Sequence, residues 1–369
     1  MQAASVDLEN QTYFEPSTAT LSEWVDLWLD EYCENIKYQT KRVYRSQSEK
    51  HIKPLLGNIK LSELSPHHIQ HFYNTLSKSG KTMKEKIGNK TITKQVPMSP
   101  ISIQHIGSIL SKCLNTAVSV GFIKTNPTRQ AVKPRAEKPE IAPLTNDQIK
   151  LFLQEIEGHP YEPIFKLYLF TGLRRSEALG VTWDNIDFQN NVITVNHQLI
   201  RRSEKDGGYT LAPLKNDKPR YLYIPQFMMD TLEKQKELQD TQKAAAGDLW
   251  NYQTNLVFTD QLGEPIKLST LRENFKKIVA KIGIPNCRIH DLRHTYAVFS
   301  IQNGTDIKSD QDNLGHATAT FTLEVYAHST TQMKTKAAEQ MQTFFDELSA
   351  PKDPWKFSVK FSAKRISNY

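Results

Sequence analysis

Residues 171–179 read TGLRRSEAL, and the organisation of the C-terminal half is decided around them. Gly172 breaks the apolar helical run that ends at Phe170, and a further helix follows. Arg174 and Arg175 therefore fall at a helix N-terminus, where unpaired backbone N–H groups already favour an anion. Cations there oppose the helix dipole unless an anion is present. In isolation, a solvated basic turn fits this stretch as well as an anion site does.

Upstream, Thr145-Asn-Asp-Gln148 is a capping box, with Leu144 placed to staple onto Ile149. The helix it opens is broken by Gly158 and Pro160, and another runs through 161–170. Downstream, VITV (192–195) and YLYI (221–224) predict short strands flanking a polar, turn-rich stretch. Helical spacing resumes at about 226–240 and 270–282. Residues 144–349 thus predict an α+β domain, mainly α with a small antiparallel β-sheet.

Residues 127–143 carry Pro127, Pro134, Pro139 and Pro143 among Arg129, Lys133, Arg135 and Lys138, the composition of a basic inter-domain linker. Before it, residues 21–126 predict an all-helical domain. Leu21, Trp24, Val25, Trp28 and Leu29 show the helical period. Residues 40–55 form a second candidate helix with Lys41, Arg42 and Arg45 among its polar positions. Ser65-Pro66 and Ser99-Pro100 are caps followed by first-turn prolines. Between them, residues 78–98, with Lys84 and Lys86 among six lysines, predict a basic loop or short hairpin. Residues 1–20 lack periodicity and read as a linker.

The chain of 369 residues is 38% hydrophobic and 24% charged, enough apolar material for real cores. No apolar run approaches the roughly 18 residues of a membrane span, and no signal peptide opens the sequence. Three scattered cysteines (Cys33, Cys113, Cys287) exclude a disulfide framework and a Cys-based zinc site. The formal net charge is +7, but residues 1–35 carry eight acids and no Lys or Arg, which leaves +15 on residues 36–369. Such a body favours a polyanionic partner.

Three more clusters could do chemistry. Lys215-Asn-Asp-Lys218-Pro-Arg220 forms a polar tip between the two predicted strands. HDLRHTYA (290–297) puts His290 and Arg293 on one helix face. Its His290 and His294 have zinc-ligand spacing, and with His316 and His328 a metal site is conceivable. The metalloprotease pattern needs Glu at 291, however, and the neighbouring arginines oppose a cation. In LGHATATFTLEVYAH (314–328), Tyr326 lies ten residues after His316. Taken alone, each of these clusters also fits an ordinary exposed loop or core residue.

Together and in this order, Arg … Lys … His-x-x-Arg … Leu-Gly-His … Tyr, the clusters resemble the tyrosine recombinases over about residues 21–349. They resemble most the integrases of conjugative transposons and temperate phages of low-GC Gram-positive bacteria. The resemblance implies a site-specific recombinase of a mobile element, acting on double-stranded DNA through a 3′-phosphotyrosine and without a cofactor or metal. It implies Tyr326 as nucleophile, Arg174 and Arg293 as a clamp on the phosphate, and His290 and His316 as hydrogen-bonding or proton-relaying groups. It implies Lys215 as general acid, with Lys218 as fallback, and Glu177 as a support for Arg174. Lys41, Arg42, Arg45, Lys84, Lys86, Arg129, Lys133 and Arg135 are the expected DNA contacts. It further implies self-assembly as dimer or tetramer on DNA, a possible directionality factor, and a bacterial cytoplasmic, nucleoid-associated setting.

Two features depart from the family pattern. An N-terminal arm-binding domain is expected before the helical domain, and residues 1–20 match only the linker that would follow it. Asp310 falls on the apolar stripe leading to His316, where Asp310→Val is expected to raise the melting temperature by removing a desolvation cost. Residues 350–369 form a tail in which Trp355, Phe357, Val359 and Phe361 alternate with polar residues. Either this tail or the helix at 331–348 is expected to dock on a neighbouring subunit. The alternatives are a catalytically silent DNA-binding relative, a type IB topoisomerase and a zinc hydrolase.

Overall fold

Short-range signals in the sequence become element boundaries in the computed structural model, which describes residues 18–87, 90–137, 143–202, 208–214, 218–303, 305 and 307–315. The side chains at 84–91, 307 and 309–311, those of Lys84, Lys86 and Asp310 among them, lie outside that description. The chain divides into two units, Met1–Pro139 and Glu140–Tyr369, each with its own apolar core.

In the first unit α1 (Leu21–Leu27) is opened by a capping box in which Thr20 Oγ1 accepts from the Glu23 N–H and Glu23 accepts from the Thr20 N–H. It continues through a wide π-turn at Trp28–Tyr32. Next, α2 (Tyr38–Gln47) runs through a second π-turn, Ser48–Ile52, into α3 (Lys53–Leu56). Helix α4 (Pro66–Ser79) starts at N-cap Ser65, and α5 (Pro100–Ser119) at N-cap Ser99, each with proline in the first turn. Trp24, Trp28, Ile69, Phe72, Leu76, Ile106 and Leu110 fill the core between these helices. The 78–98 segment is an antiparallel hairpin, β1 (Lys81–Ile87) with β2 (Lys90–Val96).

Two differences from the sequence-based expectation concern charge and linker. Arg45 reaches Asp30 at 2.6 Å, and Lys53 reaches both Asp26 and Glu49 at 2.6 Å. The basic helix at 38–56 thus pairs with Asp26 of α1, with Asp30 of the π-turn after it and with its own Glu49, as well as facing solvent. Residues 126–134, expected as linker from 127 onward, are anchored to the helical unit. Asn126 donates to Ser111 O and Asn115 Oδ1, Pro127 and Thr128 are buried, the Val132 N–H donates to Gln70, and Gln104 donates to Pro134 O. Prolines punctuate this segment without preventing side chains of α4 and α5 from satisfying its backbone.

In the second unit Thr145 and Gln148 form the expected capping box at α6 (Asn146–Glu155). Helix α7 (Glu162–Thr171) buries Ile164, Phe165, Leu167, Tyr168 and Leu169. After the single turn α8 (Arg175–Ala178) come β3 (Ile186–Asp187) and β4 (Val192–Val195). The stretch expected to be merely turn-rich contains a second hairpin, β5 (His197–Arg201) with β6 (Tyr209–Pro213), in which Leu199 faces Leu211. Strand β7 (Arg220–Tyr223) then pairs with β4, giving the sheet order β3-β4-β7. Helices α9 (Gln226–Ala246), α10 (Leu268–Lys281), α11 (Ile289–Gln302) and α12 (Ile307–Leu314) complete the described chain. The architecture is mainly α with small antiparallel sheets, as expected. Helix α11 lies against α7 and α12, and α12 lies against β7. Among the described residues no helix is long and apolar enough to cross a membrane.

Candidate active site

Helix α7 carries the first arginine motif to its place. It ends where Gly172 turns left-handed (φ 62°) and donates to Tyr168 O. A Cβ at this position would lie 2.5 Å from Tyr296 Cδ1 and 2.6 Å from Leu314 Cδ2. Glycine thus serves the backbone conformation and also lets α11 and the end of α12 close onto the turn. Leu173 is buried beside it, and Arg174, in extended conformation, begins α8.

The anion that two arginines at a helix N-terminus require is supplied within the same turn. Glu177, 3% exposed, accepts from the Arg174 backbone N–H at 3.0 Å and from Arg174 Nη1 at 2.7 Å. Its second oxygen also accepts from Arg220 Nη2 at 2.6 Å. Burial alone would raise the Glu177 pKa, but Arg220 and then Arg174 outweigh it and hold the carboxylate below its ordinary value.

Three guanidinium groups converge on the C-terminal end of α12. Arg220 Nε donates to Asn313 O at 2.8 Å, Arg293 Nη2 to Leu314 O at 2.7 Å, and Arg174 Nη2 to Gly315 O at 2.7 Å. Arg293 Nη1 also donates to Gly172 O at 2.6 Å, which ties the two motifs together. The last carbonyls of a helix have no intrahelical donor and carry the negative end of its dipole, so cations are the expected partners. The described cluster holds these three cations against the Glu177 carboxylate, a surplus of positive charge suited to an anionic substrate.

On α11, His290 and His294 meet edge to face with ring centroids 4.7 Å apart. Burial, then the Arg293 charge, lowers the pKa of His290. Burial, then His290, pushes that of His294 down to about 4. Both rings are therefore neutral near pH 7 and able to accept a proton. Tyr168 is a poor nucleophile by comparison, because burial raises its pKa and its hydroxyl donates to Arg175 O. Among the described residues no group of three potential metal ligands comes together.

A pH dependence of stability follows from these shifts. The unfolded chain takes up a proton at His294 at its ordinary pKa of 6.5, whereas burial and the neighbouring charges lower this to about 4 in the folded chain. Stability is therefore full above pH 6.5 and is lost as pH falls through that window, by up to roughly 3 kcal/mol from this group. Glu177, with its depressed pKa, acts in the same direction. Denaturant unfolding of His294→Gln should show a flatter pH dependence between pH 6.5 and 4 than the parent. Parallel profiles would mean that His294 does not titrate on unfolding.

Of the expected catalytic residues, the structure places Arg174 and Arg293 on one turn, with His290 one helical turn before Arg293 on α11. Lys215, His316 and Tyr326 lie outside the described residues, as does everything from 316 onward, including the 331–348 helix and the tail. The described Leu214 is buried and Lys218 exposed, on either side of 215–217. Arg220 is the functional candidate that sequence reasoning missed. Its only local signal is a place at the start of a strand after a basic turn, and its partners are 43 and 93 residues away.

In the helical unit the expected DNA contacts are distributed over its surface. Arg42, Arg45 and Arg135 are exposed, Lys41 and Lys133 are half-buried, and Arg129 donates to Asn115 Oδ1 at 3.4 Å.

Known proteins align with this arrangement over most of its length. Residues 143–333 match the Phage integrase family, and residues 20–77 match the Phage integrase, N-terminal SAM-like domain. A protein named Tyrosine recombinase XerC-like from Caldanaerobacter subterraneus subsp. tengcongensis is 27% identical over 346 residues, covering 88% of this chain and 83% of its own. An integrase of Mycobacterium phage D29 is 24% identical over 310 residues, covering 84% of this chain and 74% of its own. Among solved structures, the Tn1549 transposon integrase in complex with a circular intermediate DNA superposes with a TM-score of 0.71 at 22% identity, covering 88% of this chain and 99% of that one. A lambda integrase dimer bound to a core site superposes with a TM-score of 0.57 at 19% identity, covering 88% of this chain and 85% of that one. With more than half of its residues matched in a single span, the chain belongs to the phage integrase family and is a tyrosine recombinase, an enzyme that cleaves and rejoins DNA strands.

Proposed function

We propose that this recombinase cleaves double-stranded DNA at the Arg174–Arg293 cluster, with Tyr326 as nucleophile, and that it integrates and excises a mobile element. The observation that carries this is the convergence of arginines from two distant motifs on the turn that leads, one residue later, into His316. A phosphodiester transition state carries extra negative charge, which positioned cations and donors stabilise more than they stabilise the ground state.

In the proposed reaction the Tyr326 hydroxyl attacks phosphorus while its proton passes to His290, whose lowered pKa keeps it neutral, or to His316. The 5′-oxygen departs with a proton from Lys215, leaving a 3′-phosphotyrosine. Arg174 and Arg293 hold the non-bridging oxygens through paired N–H donors. Glu177 keeps the Arg174 fork aimed. Rejoining reverses these steps with a new 5′-hydroxyl, so the phosphoester bond energy is conserved and no cofactor or metal is required. Sequencing the DNA held covalently on the protein after denaturation tests the proposal and reads out the target site. Recovery of no covalent DNA from any substrate would instead favour a silent DNA-binding relative.

Solved relatives include complexes with DNA, among them a lambda integrase dimer on a core site and a lambda integrase tetramer on a Holliday junction, which supports assembly of this chain as dimer and tetramer on DNA. The bacterial cytoplasm, on the nucleoid, is the corresponding setting of the proposed activity, with a directionality factor as a further partner.

The basic helix at 38–56, the 78–98 hairpin with Lys84 and Lys86, and the segment bearing Arg129, Lys133 and Arg135 would face the phosphates. The Arg45–Asp30 pair is exposed on both sides, and such pairs are worth at most about 1 kcal/mol, so a phosphate can displace Asp30. Replacing Lys41, Arg42 and Arg45 together by glutamine should reduce the slope of log affinity against log salt by up to about 3. An unchanged slope would remove this face from the DNA interface.

A further inference from the structure

The cluster contains one arginine that the strand-transfer chemistry above does not use. Arg220 opens β7, and its side chain is 11% exposed. It donates in two directions, from Nη2 to Glu177 Oε2 at 2.6 Å and from Nε to Asn313 O at 2.8 Å. The third nitrogen packs against the turn at Gly315, where a Cβ would lie 3.0 Å from Arg220 Nη1 and 3.4 Å from Arg174 Nη1. Gly315 is left-handed (φ 63°), a conformation that favours glycine, and a side chain there would press on both arginines.

We propose that Arg220 is a positioning residue for strand transfer: by bridging Glu177 and the Asn313 carbonyl, it locks the Arg174 guanidinium and the turn leading to His316 into one rigid unit. This rests on the assignment of Arg174 and His316 to the phosphate. The geometry divides the labour within Glu177. One oxygen faces the Arg174 guanidinium, and the other is shared by the Arg174 N–H and Arg220. Without Arg220 the second oxygen loses its cation, and the carboxylate is free to rotate and take both ends of the Arg174 fork. At the same time Asn313 O loses its donor at the end of α12, the point from which the chain continues to His316. A planar guanidinium makes both bonds from one fixed plane, which a lysine ammonium cannot reproduce.

The test is single-turnover formation of the covalent adduct at saturating protein on a nicked DNA substrate, across pH, for Arg220→Met, Arg220→Lys and Arg174→Lys. Arg220→Met should bind DNA nearly as the parent does yet form adduct roughly one to two orders of magnitude more slowly, the scale of a small misplacement of reacting groups. Its deficit should deepen toward acid pH, because Glu177 keeps its burial but loses its leading counter-charge and so protonates more readily. Arg220→Lys should restore the acid limb of the profile but not the full rate. Wild-type rate and profile in Arg220→Met, or an equal loss at every pH that Arg220→Lys leaves unaltered, would overturn the inference. If Arg220→Met does not fold, Arg220→Lys decides: parental rate overturns the inference, and slow cleavage with a parental acid limb supports it. Near-normal cleavage by Arg174→Lys would overturn the site assignment itself. Slow Arg174→Lys with normal Arg220→Met would overturn the role of Arg220 alone.

Discussion

Tyr326→Phe should bind DNA with affinity close to that of the parent and form no SDS-resistant protein–DNA adduct. The substitution removes one oxygen atom and leaves every cation of the Arg174, Arg220 and Arg293 cluster in place, so phosphate attraction is preserved while the attacking atom is gone. The phenol is a weak nucleophile at its ordinary pKa of about 10, and a cationic site lowers the cost of ionising it. Tyr168 cannot substitute: it is buried in the core beneath the arginine turn, with its pKa raised and its hydroxyl engaged. Adducts formed at a normal rate by the phenylalanine variant, read on a denaturing gel, would show that another residue attacks.

Arg174→Lys should slow cleavage by two or more orders of magnitude, on the scale of about 3 kcal/mol for one lost transition-state donor. Charge is retained, so DNA affinity and its salt dependence should move little. The guanidinium binds Glu177 through Nη1 and Gly315 O through Nη2. A single ammonium on a flexible stem cannot span both and still present a fork to the phosphate. Single-turnover adduct formation separates this effect from binding, and it should persist in EDTA for parent and variant alike. Cleavage near the parental rate would move the clamp to Arg175 or another basic residue.

The helical unit and the catalytic unit differ in how much of them the sequence made legible. Ser65-Pro66, Ser99-Pro100 and Thr145 with Gln148 each mark a helix start that the structure reproduces, because an N-cap hydrogen bond closes within three residues. The β5–β6 hairpin was obscured because Arg201–Gly208, charged and glycine-rich, dominates the composition around a single apolar cross-strand pair, Leu199 with Leu211. Segment 127–143 reads as linker because prolines suppress any period, whereas polar side chains on α4 and α5 anchor its first part, as far as Pro134. The pairing of Arg45 with Asp30 was equally invisible, since nothing in either helix specifies which face the other presents.

By itself the sequence determined the helix starts, the mainly α class and the order of the motifs from Arg174 to Tyr326. All of these rest on interactions that close within one turn of helix or on residue types at fixed spacing. The tertiary structure alone decided which groups meet. Arg174 reaches Gly315 across 141 residues, Arg220 reaches Asn313 across 93, and Glu177 serves as the counter-charge for two arginines at once. No local period encodes such contacts. They arise when Gly172 lets α11 and the end of α12 close on the arginine turn, and when the unsatisfied carbonyls of α12 draw in the only groups that can both neutralise the helix dipole and donate in a fixed plane.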